Sequence, residues 1–93
     1  MTEKSLFTLR WSVLKPGHVP ADMFSVLIDI SAIRSEKVIL ALKAFFVDGK
    51  ERGEICESLN VNAGYLSIKI RELQTLIKKI MSLYPFCNYM MKI

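Results

Sequence analysis

Apolar residues recur along most of this chain at intervals of three and four, the spacing that gathers them on one side of an α-helix. In ADMFSVLIDISAI, residues 21–33, Met23, Leu27, Ile30 and Ile33 fall at that spacing, and Asp22 suits the positive end of a helix. Ser35 offers a hydroxyl to cap a second helix, with Glu36 in its first turn. Val38, Leu42, Phe45 and Phe46 are its expected buried face, and Gly49 its stop. A third helix is expected over residues 51–59. A fourth follows from Asn62, its N-cap, to Tyr84, where Pro85 ends it.

The N-terminal region breaks this rhythm. Across residues 5–15, Leu9, Trp11 and Val13 alternate with Thr8, Arg10 and Ser12, a period of two that suits a short extended arm, although a short amphipathic helix fits nearly as well. Pro16, Gly17 and Pro20 then separate the arm from the helices. The expected architecture is all-α: a single domain over residues 1–93, a bundle of about four helices with an N-terminal arm at 1–20 and an apolar tail at 85–93.

Residues 50–71, KERGEICESLNVNAGYLSIKIR, carry the functional signal, because they read as two short helices joined by a tight turn, a helix-turn-helix. Steeply crossed helices need a small side chain where they approach, and Cys56 stands there, next to the core residue Ile55. Asn60 occupies the turn and tolerates a left-handed backbone. At about 100° per residue, Ile70, Leu73 and Ile77 lie within about 40° of Leu66 and define an inner face. Ser67, Ile68, Arg71, Thr75 and Lys78 are left on the outer face, preceded by Ala63 and Gly64, small enough to let the helix start approach a duplex. The N–H groups between Asn62 and Tyr65 suit a phosphate.

The readout this face encodes is limited. Arg71 is its long cation near the base-reading end, and Ile68 offers apolar contact, for instance to a thymine methyl. That scarcity favours backbone, shape or minor-groove recognition of A·T-rich double-stranded DNA, with charge from Arg52, Lys69, Arg71, Lys78 and Lys79. Lys69 stands where such units usually carry an apolar residue, so its stem is expected to pack while its ammonium reaches outward.

Composition narrows the alternatives. Lys and Arg exceed Asp and Glu by 13 to 9, a modest excess compatible with an anionic partner. The apolar run from Val38 to Val47 is interrupted by Lys43 and falls short of the ~20 residues that cross a bilayer. The N-terminus lacks the features of a secretory signal, and cytoplasmic residence in association with the nucleoid is expected. Cys56, Cys87 and His18 supply neither a disulfide framework nor a metal-ligand set, so reduced thiols and no metal or cofactor are expected. No phosphate loop or nucleophile constellation points to an enzyme or a small-molecule substrate. The competing class is a protein-docking module that uses the helix-turn-helix only as scaffold.

Four separated motifs then coincide: SVLKPG at 12–17, ISAIRSEKVILALK at 30–43, RGEICE at 52–57 and NAGY at 62–65. Together they resemble the PapB family of fimbrial (adhesin) operon regulators, over residues 12–84. The resemblance implies a helical, oligomerising transcription regulator of A·T-rich DNA, with minor-groove contact, that controls pilus expression. It further implies roles in DNA binding for Arg52 and Cys56, which match the family's Arg and Cys. The DNA-facing set expected from pattern and resemblance together is Arg52, Cys56 and, at the start of the fourth helix, Asn62, Ala63, Gly64 and Tyr65. Further along that helix it continues with Ser67, Ile68, Lys69 and Arg71.

Overall fold

The computed structural model describes residues 14–87, and among them regular structure is entirely helical. Four α-helices follow in order: α1 (Ala21–Ile30), α2 (Glu36–Phe46), α3 (Arg52–Leu59) and α4 (Ala63–Met81), with a short 3-10 turn at Tyr84–Phe86. Residues 1–13 of the expected arm and 88–93 of the expected tail lie outside the described residues. Helix α4 packs against each of the other three, so the core lies along its inner side.

Helix α1 departs from the expected pattern at both its face and its end. Its buried residues are Phe24, Leu27 and Ile28, whereas Met23 and Ile30 are exposed, as is Val26. The stretch holds more apolar residues than one face accommodates, and packing selected the stripe containing its one aromatic ring. The helix stops at Ile30 rather than continuing to Ile33. Ser31 Oγ donates to the carbonyl of Ile28 at 2.8 Å and accepts the N–H of Ile33 at 3.2 Å. The Arg34 guanidinium donates to the carbonyls of Ile28, Ser31 and Ile33. These bonds satisfy the end of the helix and turn the chain, and Ile33 enters the core from outside any helix.

Helix α2 follows its expected pattern. Ser35 Oγ accepts from the N–H of Val38, and Val38, Leu42, Phe45 and Phe46 are buried together with Ala41. Its far end is covered by the proline-bracketed turn: the N–H of Gly17 donates to the carbonyl of Phe45 at 3.2 Å, and that of Val19 to Phe46 at 3.1 Å. Gly17 and Gly49 meet there, both with positive φ, and a Cβ on Gly17 would stand 3.1 Å from the Gly49 Cα. Glycine is required on both sides by conformation and by proximity.

Helix α4 buries the expected four side chains, Leu66, Ile70, Leu73 and Ile77. It ends at Met81, short of Tyr84, where Ser82 closes it and Pro85 is taken into the 3-10 turn. Midway along it, Gln74 uses both ends of its amide on the backbone of Leu14, accepting the N–H at 2.7 Å and donating to the carbonyl at 2.9 Å. Among the described residues no buried side-chain nitrogen or oxygen lacks a partner, and no helix is long and apolar enough to cross a membrane.

Candidate nucleic-acid interface

The α3–turn–α4 unit is shaped by local chemistry at three consecutive residues. Asn60 has φ 55° and ψ 52°, the left-handed conformation that asparagine adopts at low cost. The N–H of Val61 reaches back to the carbonyl of Cys56 at 3.0 Å, closing α3 in a Schellman-type turn. Asn62 then caps α4, its Oδ1 accepting the N–H of Tyr65 at 3.0 Å. Gly64 supports that cap, since a Cβ there would stand 3.2 Å from the same Oδ1.

Cys56 is half-buried and packs against the core beside the fully enclosed Ile55. Its thiol is free. Arg52, at the start of α3, joins three helices. Its guanidinium carbon lies 5.6 Å from the centre of the Phe45 ring of α2, and its Nη1 is 3.4 Å from Ser67 Oγ on α4. A planar cation braced by an aromatic face and a hydroxyl loses little further freedom when it binds an anion.

The outward side of α4 has two unlike flanks. Ser67 is half-buried beside Arg52, with Arg71 and Lys78 exposed further along that side. On the other flank, Lys69 Nζ lies 5.4 Å from the centre of the Tyr65 ring and 3.3 Å from a carboxylate oxygen of Glu72. Its side chain is largely enclosed and its ammonium is already paired. Ile68 is exposed between the flanks, and Ala63 and Gly64 are exposed at the helix start. A cleft of about 240 Å³ borders this start, lined by the α2 cap Ser35, by Lys37 and Val38 of α2 and by the Asn60–Asn62 turn with Tyr65.

The expected site residues therefore share one surface, except Cys56, which lies beneath it. Sequence reasoning missed the Arg52–Phe45 stack, the Lys69–Glu72 pair and the Gln74 clamp. The spacing of Lys69 and Glu72 at i, i+3 was a readable signal. The Arg52–Phe45 stack joins two different helices and the Gln74 clamp joins residues 60 positions apart, so neither left a local signature.

The family model described as adhesin biosynthesis transcription regulatory protein, PapB, matches residues 1–87. The regulatory protein FanB of Escherichia coli is 50% identical over 78 residues, covering 84% of this chain and 79% of its own length. The major pilus subunit operon regulatory protein PapB of Escherichia coli is 41% identical over 81 residues, covering 87% of this chain and 78% of its own. The crystal structure of FocB from Escherichia coli superposes with a TM-score of 0.75 at 36% identity, over 92% of this chain and 98% of that one.

Proposed function

The chain belongs to the PapB family of adhesin biosynthesis transcription regulatory proteins, and from that membership we propose that it regulates transcription by binding A·T-rich double-stranded DNA as an oligomer. Its place in that family makes it a regulator of adhesin operons and not an enzyme. The whole chain acts as one DNA-binding unit in the cytoplasm, at the nucleoid, and α3–turn–α4 is its DNA-facing part.

The observation that carries this reading is Arg52, held between Phe45 and Ser67 at the edge of the α4 surface. It contacts a phosphate, as does the capped start of α4 at Asn62–Tyr65, while Arg71, Ser67 and Ile68 face the groove. Cys56 contributes by letting α3 approach α4. A single exposed arginine on the outward side of α4 and an apolar Ile68 favour A·T-rich sequence and groove shape over G·C edges. Self-association is supported by an exposed apolar stripe on α1, where Met23, Val26 and Ile30 are 38%, 56% and 55% exposed. Linking weak contacts in one assembly raises their effective concentration along neighbouring sites.

Fluorescence anisotropy with A·T-rich and mixed-sequence duplexes over a salt series tests the proposal. Binding should be tightest on the A·T-rich duplex, weaken steeply as salt rises and be displaced by the minor-groove ligand distamycin. Equal affinity for both duplexes would remove the sequence preference, indifference to distamycin would move the contact to the major groove, and no binding at low salt would end the DNA reading. Arg52→Ala should lower the magnitude of the slope of log K against log[salt] by about 0.9, the share of one phosphate contact, with helicity by circular dichroism unchanged.

A further inference from the structure

We infer that Lys69 is a positioning residue that holds Tyr65 for a DNA phosphate and does not itself meet one, its charge being cancelled by Glu72. The inference rests on the DNA-binding reading above and deepens it. Tyr65, Lys69 and Glu72 follow at i, i+4 and i+7 along one flank of α4, so their side chains stack in a row. The Lys69 ammonium is 3.3 and 3.4 Å from the two carboxylate oxygens of Glu72 and 5.4 Å from the centre of the Tyr65 ring. Its side chain is 22% exposed against 50% for Glu72, so the lysine is the more enclosed partner and the carboxylate lies on the solvent side.

Tyr65 is consequently fixed at two points. Its backbone N–H is held by the Asn62 cap, and its ring by the cation over its face. The residue is still 45% exposed at the start of α4, where a phosphate would sit, and its hydroxyl can donate there. A phosphate approaching Lys69 would meet a cation with a carboxylate beside it, and a neutralised pair releases no counterion from the duplex. Arg71, exposed and without an ion pair among the described residues, lacks that restraint. The two cations of this stretch thus divide into one that binds and one that braces.

Salt dependence separates the two roles, because each phosphate neutralised contributes about 0.9 to the slope magnitude of log K against log[salt] on duplex DNA. On one A·T-rich duplex, Arg71→Met should lower that magnitude by about 0.9. Lys69→Met should weaken binding several-fold at every salt concentration and leave the slope unchanged. Glu72→Gln should raise the magnitude by up to about 0.9, by releasing Lys69 to meet a phosphate. In a Tyr65→Phe background, Lys69→Met should cost little more, since both changes remove the same hydroxyl contact. A slope lowered by Lys69→Met as much as by Arg71→Met would overturn the inference and make Lys69 a phosphate ligand, as would additive losses in the double mutant. Lys69→Gln guards against a folding defect particular to Met, with thermal melts run on each variant. Failure of the native protein to bind at low salt would remove the DNA reading itself, whereas the slopes decide the role of Lys69 once native binding is seen.

Discussion

Helices α3 and α4 meet across three residues, yet different forces hold them in place. Helix α4 is nineteen residues long and buries four aliphatic side chains along the core. Helix α3 is eight residues long and buries one, Ile55. An isolated helix of that length is unstable in water, so α3 relies on the turn at its end, on Cys56 against the core and on Arg52 across Phe45 and Ser67. The helix that bears most of the outward face is therefore anchored by area, and the helix that presents Arg52 by a few specific contacts. Changes to α4 should act on the whole fold, and changes to α3 should act locally.

Paired core truncations give the largest effects and the most direct way to break that contrast. Leu73→Ala, at a fully enclosed position of α4, should cost about 3–4 kcal/mol of global stability in chemical denaturation. Ile55→Ala, 1% exposed in the native protein, should cost about 2–4 kcal/mol, and hydrogen exchange should show α3 amides losing protection well before those of α4. Uniform loss of protection over both helices would mean that they form one cooperative unit and that the contrast is only one of size. Asn60→Val places a β-branched residue at φ 55° and should cost about 1–2 kcal/mol, whereas Asn60→Gly should be tolerated; equal losses would show that the asparagine side chain matters more than its backbone. Asn62→Ala removes the α4 cap and should cost about 1 kcal/mol by thermal melting, a small loss for a helix anchored along its length. The smallest expected effect is a gain. Nothing lies within 4 Å of a Cβ built on Gly53, so Gly53→Ala should stabilise α3 by about 0.5 kcal/mol, and a loss would reveal a backbone need at that position.

The parts of the fold legible in the sequence were those whose causes are local. Ser35 and Asn62 each accept a backbone N–H three residues on, Asn60 supplies a left-handed backbone at the turn, and these roles could be read from residue type and position. The inner face of α4 was legible because its polar residues leave a single stripe. The run in α1 was not: with Met23, Phe24, Val26, Leu27, Ile28 and Ile30 all apolar, periodicity admits more than one stripe and tertiary packing decides. Its end was missed for a related reason, since Arg34 reaches back to carbonyls that the apolar pattern says nothing about. At the candidate site, charge and spacing identified the surface, but the braces behind it depend on residues brought together only by the fold. Phe45 lies on a different helix from Arg52, and its second role as a platform for a cation is invisible in a pattern that marks it simply as core.

The Gln74 amide grips main-chain atoms of Leu14 rather than its side chain, as a neighbouring strand would. A tether of that kind is indifferent to spelling at one end and strict at the other. In a lineage of such chains, residue 14 could drift among apolar types without loosening the join, while position 74 would accept few replacements. Asparagine is too short, glutamate cannot donate to the carbonyl, and an aliphatic residue would leave two backbone groups unpaired. Gln74 also lies on the helix that carries most of the proposed DNA-facing surface, so the backbone of residue 14 is fixed by that same helix.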